Sequence, residues 1–201
     1  FRTRTEQWLT DESRCVMEGK AFLVRFTTDW TCGLLWNKLY KRALFDGIFF
    51  EEGHKIDDEY FTYQGVMNAA KVVCDPRVVY NYRQRASSVM QSPAARAQIA
   101  IDRIDFMAKR REKVLKRFPE LRREFDISFV DALSYLAKYP DNTEQSIRLL
   151  KYYARRYFLQ RGNTFPPRYL LKAVFLMYAT GTEKLLKRSQ AKKPSPEDYY
   201  A

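Results

Sequence analysis

Long apolar runs are missing from this chain of 201 residues. The longest candidate, Ala173 to Ala179, is far shorter than the ~18–20 residues a helix needs to cross a membrane. Lys172 and Thr180-Gly181 close it on either side. The opening residues carry no secretory signal pattern, and Phe1 in place of Met is what a piece of a longer polypeptide would show. Histidine occurs once, as His54, and cysteine three times, as Cys15, Cys32 and Cys74, with no Cys-x-x-Cys pair. That supply argues against a Cys/His zinc site. The odd number and wide spacing argue against a disulfide framework, so reduced thiols of a cytoplasmic protein are expected. Seven glycines and eight prolines exclude a collagen-like or low-complexity chain.

What is present is a core. Hydrophobic residues make up 46% of the chain and aromatic residues 15%, which excludes a disordered tail. The net charge of +12 is uneven. Residues 1–93 hold 13 Lys/Arg and 12 Asp/Glu, whereas residues 94–201 hold 23 and 12. The two halves therefore meet different surroundings, and the composition breaks at Gln91-Ser92-Pro93.

The first half alternates short elements. The apolar spacing from Val16 to Phe26 predicts a helix over 13–27. Gly33 to Tyr40 reads as a strand running into a short helix, Lys41 to Phe45, ended by Asp46-Gly47. Ile48-Phe49-Phe50 reads as extended. A helix is expected from Asp57 through Ala70, then strands at Lys71–Cys74 and Val78–Tyr82 joined by Asp75-Pro76-Arg77. After Pro93 the pattern is helical only. Ala97, Ile101, Ile104, Ala108, Leu115 and Phe118 mark one stripe. Phe129, Leu133 and Leu136 mark a second helix, closed by Pro140. Thr143 opens a third, stopped at Arg161-Gly162-Asn163. Pro166-Pro167 begins a fourth, from Arg168 to about Arg188. The tail, 189–201, is expected to be loose. The fold class is α+β, mainly α, with a first unit over 1–93, a basic helical unit over 94–188 and the tail.

Three constellations could carry chemistry. Asp57-Asp58-Glu59 sits at a helix start, where adjacent carboxylates raise one another's pKa and one could act as a general base; a solvated start favoured by the helix dipole is the plainer alternative. Arg83-Gln84-Arg85 with Ser87-Ser88 could bind phosphate bidentately, or simply end a strand. Trp36-Asn37-Lys38-Leu39-Tyr40-Lys41-Arg42 mixes rings with cations, as sugar- or phosphate-contacting segments do, and as a core strand with snorkelling lysines also does.

In order and spacing, Trp36 to Phe45, Gly47 to Gly53, Ile56-Asp57-Asp58-Glu59-x-Phe61 and Tyr80-x-Tyr82-Arg83-x-Arg85-x-x-Ser88 resemble the back half of family 2 glycosyltransferases, enzymes of GT-A fold that make bacterial polysaccharides and related glycans. The resemblance covers about residues 10–93. It implies that residues 1–93 are the acceptor and catalytic-base half of a GT-A-like α/β domain. It implies Asp58 as the base that deprotonates the acceptor hydroxyl, with Asp57, where the family usually has Glu, and Glu59 as supporting acids. By the same match Arg83, Arg85 and Ser88, with Trp36, Lys38 and Arg42, lie near the leaving diphosphate or the acceptor. The Gln-x-x-Arg-Trp signature of processive synthases is absent, so a polymerising synthase is not expected.

The resemblance also implies partners that these residues do not supply. Such enzymes hold the nucleotide-sugar donor in an N-terminal Rossmann-like half ending in Asp-x-Asp, which binds Mn or Mg. No apolar strand followed by Asp-x-Asp and no Gly-rich phosphate loop occurs in this sequence. The parent enzyme would transfer a sugar to a glycan or lipid-linked acceptor. This chain alone is expected to bind neither donor nor metal, and not to turn over. For the basic helical half, a solvated bundle, an anionic membrane surface and a nucleic acid are the alternatives. No helix-turn-helix, zinc-finger or RNP pattern is present, so no specific nucleic-acid partner is expected. The expected location is the cytoplasm or the inner face of the cell membrane. A sheet edge left unpaired would favour homo-oligomers.

Overall fold

A two-stranded antiparallel ribbon sits beside a stack of helices. β1 (Cys15–Glu18) pairs with β2 (Lys71–Cys74) in the register Cys15 to Cys74 and Glu18 to Lys71. Alternation places Cys15, Met17, Val72 and Cys74 toward the protein and Val16, Glu18, Lys71 and Val73 toward solvent. The remaining elements are α1 (Gly19–Arg25), α2 (Asp57–Asn68), α3 (Pro93–Arg117), α4 (Arg122–Leu136), α5 (Glu144–Phe158) and α6 (Pro167–Tyr178), with 3-10 turns at Trp30–Gly33, Arg42–Phe45 and Pro119–Leu121. This is a computed structural model that describes residues 13–77, 80, 93–138, 142–158 and 167–178. The class is α+β and mainly α.

The helix expected over 13–27 begins only at Gly19, and the four residues before it are strand. The break has a steric cause. The Gly19 backbone presses on the end of α2: its N–H donates to the Ala70 carbonyl at 3.2 Å, and a Cβ there would lie 2.0 Å from the Ala69 carbonyl oxygen. The strand expected from Gly33 is also absent. Asp29 accepts from the Thr31 N–H at 2.9 Å and the Thr31 hydroxyl at 2.6 Å, which winds Trp30–Gly33 into a 3-10 turn. Among the described residues the sheet has two strands only. The expected strand at Val78–Tyr82, the stops at Pro140 and Arg161-Gly162-Asn163, the part of the fourth helix beyond 178 and the tail lie outside the described residues.

Within α5 the start is fixed by a reciprocal cap. The Thr143 hydroxyl accepts from the Ser146 N–H at 3.2 Å, and the Ser146 hydroxyl accepts from the Thr143 N–H at 2.9 Å.

α3 runs through the whole core. Its end, Val114 and Leu115, packs with Phe22 and Leu23 of α1, with Phe26 just after it, and with Tyr63, Val66 and Met67 of α2. Its middle, Ile104 and Ala108, packs with Phe129 and Leu133 of α4, Leu150 and Tyr157 of α5 and Leu176 of α6. Residues on both sides of position 93 thus share one helix as their common wall.

Charge is buried along the same helix. Lys109-Arg110-Arg111 is one of the basic runs of the helical half that an anionic surface could meet, but the structure turns its two arginines inward. Arg110 and Arg111 are 6% and 5% exposed. Arg111 donates from Nε to Asp126 at 2.6 Å and lies over the Tyr157 ring. Arg110 lies between the rings of Phe26 and Phe106. Lys109 bonds Glu51 at 2.7 Å and Asp105 at 3.0 Å.

Candidate functional site

The start of α2 carries the acidic triplet, and the loops around it are built to hold it. Asp102 of α3 accepts from the Lys55 N–H at 2.6 Å and from Gln98 at 2.8 Å, and its Oδ1 lies 3.3 Å from His54 Nδ1. Tyr60 donates to Asp105 at 2.8 Å and stacks on His54. These bonds fasten the chain just before α2 to α3. The helix start then uses its own acids. Asp57 accepts from the Asp58 N–H at 3.1 Å, and Asp58 accepts from the Glu59 N–H at 3.0 Å. Both satisfy donors that a helix N-terminus leaves free.

The three acids then diverge. Asp57 is exposed. Asp58 is half-buried. Burial pushes its pKa up and the neighbouring Asp57 adds to the rise, while backbone N–H groups of Glu59, Leu35 and Asp58 itself hold the charged form and limit it. Glu59 turns away toward α3: burial raises its pKa, and the Arg103 and Arg110 cations oppose the rise. Gly33 makes room for it, since a Cβ at Gly33 would lie 3.3 Å from Glu59 Cγ. Glu59 therefore lies within reach of the Arg103 and Arg110 cations of α3, while the Asp58 charge adds to the rise in its pKa.

The segment Trp36 to Arg42 lies against this helix start. Lys38 points inward. Its ammonium donates to the carbonyls of Thr31 at 2.9 Å and Leu34 at 2.6 Å and to Asn37 Oδ1 at 2.6 Å. Three donors meet three acceptors, so the ammonium is fully used inside the loop. Burial lowers its pKa to about 8, against the pull of Cys32, Asp29 and Asp58. Lys38 thus braces the turn formed by Thr31 to Asn37. Trp36 stacks on Tyr80 with centroids 4.6 Å apart. Arg42 is exposed at the start of the second 3-10 turn. Arg83, Arg85 and Ser88 lie outside the described residues.

Two hydroxyls beside the acid were not singled out in the sequence. Tyr40 and Thr62 have buried oxygens without a hydrogen-bond partner among the described residues. Burial pushes the Tyr40 phenol up to about 12, with Thr62 alongside and the Asp58 charge adding to the rise. Thr62 stands four residues after Asp58, on the same face of α2, which was a readable signal. Tyr40 offered none, because only the folded loop brings it there.

An aromatic shelf borders the site. Phe45 stacks on Phe61 at 4.3 Å and Phe50 stacks on Phe61 at 4.0 Å, while Tyr40 meets the edge of Phe45 at 5.0 Å. Gly65 lets Phe45 lie on α2, since a Cβ there would be 2.3 Å from its ring. Phe50 remains 46% exposed. Among the described residues no group of three His, Cys, Asp or Glu is placed to hold a metal ion. No step below runs through the Mn or Mg that the resemblance implies. No helix among them is long and apolar enough to cross a membrane. No protein-family model, curated protein or solved structure matches the chain.

Proposed function

We propose that this chain is the acceptor-side part of an inverting glycosyltransferase of the family 2 kind, with its first half derived from a GT-A-like domain and Asp58 as general base. One observation carries the reading. Asp58 is the acid of the triplet that is both pushed upward in pKa and aimed by backbone donors, with Lys38, Tyr40 and Thr62 gathered around it. A base works best when its pKa lies closer to the working pH than that of a free carboxylate. Burial and the Asp57 charge supply that shift.

In the proposed step Asp58 takes the proton of an acceptor hydroxyl as its oxygen bonds to the anomeric carbon of the donor sugar. The bond from that carbon to the diphosphate breaks on the opposite side, and its electron pair leaves with the diphosphate. The configuration inverts. Lys38 acts as a positioning residue that holds the loop beside the helix start, since its own donors are used. The exposed rings of Phe50 and its stack offer an apolar face to a sugar ring. Arg83, Arg85 and Ser88 are kept as proposed diphosphate or acceptor contacts, and the donor site, with its divalent cation, is assigned to residues outside this sequence.

The test is transfer from a nucleotide-sugar by the polypeptide that joins this chain to its donor-binding half. Asp58→Asn should lower kcat by ~10²–10⁴-fold, the usual worth of a positioned base, and leave donor binding unchanged. A wild-type rate for that variant would remove the assignment.

A further inference from the structure

α6 is apolar on two sides, and only one of them is used by the core. Tyr169, Ala173, Leu176 and Met177 are buried against the other helices. Leu170, Leu171, Val174, Phe175 and Tyr178 face outward, with Leu171 73% and Tyr178 67% exposed. Their spacing makes one continuous stripe along the helix. A contiguous apolar patch of this kind on a highly charged protein marks an interaction surface.

What borders the stripe decides its partner. α5 packs against α6, and Arg155 of α5 lies 6.0 Å over the ring of Tyr178, at the end of the stripe. Arg155 belongs to an open groove of about 490 Å³ lined by Arg148, Lys151, Tyr152 and Arg156. α5 carries four cations against Glu144, which pairs with Arg148, and α6 carries Arg168 and Lys172, of which Lys172 pairs with Asp131 of α4. The sequence after α6 adds Lys184, Lys187, Arg188, Lys192 and Lys193 against Glu183 before it reaches Pro194. An apolar stripe edged by cations and closed by a tyrosine is the pattern of a helix that lies in the plane of an anionic bilayer, its apolar side among the acyl chains and its cations at the phosphates. A second copy docked on this face would bring the same cations against themselves, which disfavours self-association there.

We infer that the α5–α6 face is a docking surface for an anionic membrane, with the Leu170–Tyr178 stripe inserted at the headgroup boundary and the α5 cations on lipid phosphates. This stands apart from the transferase reading, because none of its residues belongs to the Asp58 site.

The experiment is co-sedimentation of the 201-residue chain with phosphatidylcholine vesicles, with and without phosphatidylglycerol, across a salt series. The expected result is pelleting that needs phosphatidylglycerol and weakens as salt rises. Arg155→Glu with Arg156→Glu should reduce the partition coefficient at least about tenfold, given the worth of each cation near such a surface. Leu171→Glu with Phe175→Glu should do the same by removing the inserted side chains, and Arg155→Lys with Arg156→Lys should keep binding. All are exposed positions, and circular dichroism would verify that the helices are retained. Binding that ignores lipid charge, no binding, or full binding by both glutamate variants would overturn the inference. So would a wild-type dimer in sedimentation velocity that Leu171→Glu with Phe175→Glu makes monomeric, which assigns the face to a second copy. Duplex DNA displacing the chain from vesicles at equal phosphate would assign it to nucleic acid and overturn it as well.

Discussion

The Lys38 ammonium closes its own loop by donating to the carbonyls of Thr31 at 2.9 Å and Leu34 at 2.6 Å, and the Asp58 charge favours that cation from twenty residues further along the sequence. One cation, buried in a loop, thus lies within the electrostatic reach of one acid at a helix start. This couples the two most chemically distinctive residues of the first half without a direct bond between them.

Asp58→Asn should stabilise the protein at neutral pH. The folded state raises the pKa of Asp58 above its ordinary 3.8, so the folded protein holds the proton more tightly than the unfolded chain does. The wild type therefore loses stability as pH rises through that raised value, and keeps it below the ordinary Asp value. The gain of the variant should be present above the raised pKa and vanish in acid. Urea denaturation at several pH values reads it, and an equal gain at all pH values would contradict the cause given. If Asp58 is the base of the proposed transfer, the acid limb of kcat/KM should lie above the ordinary Asp value of 3.8.

Lys38→Met should loosen the turn. It removes the donors to two carbonyls and costs about 1–3 kcal/mol, the penalty for leaving such acceptors unpaired. It should also raise the Asp58 pKa further, because the two charges attract. The wild type carries a second signature. Its Lys38 has a folded pKa of about 8, below the ordinary 10.5, so between those values the unfolded chain binds the extra proton. Stability from this group thus increases from about pH 8 toward 10.5 and should be flat there in Lys38→Met. Carboxyl-carbon NMR and urea denaturation would measure the two effects.

Asp126→Asn breaks a buried pair. The side chains of Arg111 and Asp126 are 6% and 3% exposed, so loss of one charge strands the other and should cost about 3–5 kcal/mol. Replacing both, as Arg111→Met with Asp126→Leu, should recover most of that loss. Thermal unfolding of the three variants forms the test, and additive losses would argue against the pair acting as a unit.

Gly65→Ala should displace Phe45, because the added carbon would lie only 2.3 Å from its ring. A cost of about 1–3 kcal/mol is expected from the overpacking. Combining it with Phe45→Ala should remove the clash, so the double variant loses less than the sum. Denaturant midpoints would show whether the two substitutions are coupled.

The helices were legible in the sequence wherever their stripe was. The pattern from Ile104 to Leu115 matches α3, Phe129 and Leu133 sit in α4, and Thr143 with Ser146 caps α5, because helical periodicity and caps are local. β2 was readable from Lys71-Val72-Val73-Cys74 for the same reason. Its partner β1 was not, since Cys15–Glu18 is strand only through pairing with residues nearly sixty positions away. The Gly33 segment looked like a strand by composition, but among the described residues no strand pairs with it, and the Asp29 side chain offered a turn instead.

By itself the sequence determined that this is a mostly helical, aromatic-rich protein with an acidic helix start at Asp57 and a basic second half. Only the tertiary structure decided which charges face water. Arg110 and Arg111 read as surface cations and became core residues, and Lys38 read as a ligand group and became a brace. The reason is that a charge enters a protein interior only with partners and ring faces at hydrogen-bond or contact distance. Those partners, Glu59, Asp126, Phe106 and the carbonyls of Thr31 and Leu34, come together only when distant segments pack.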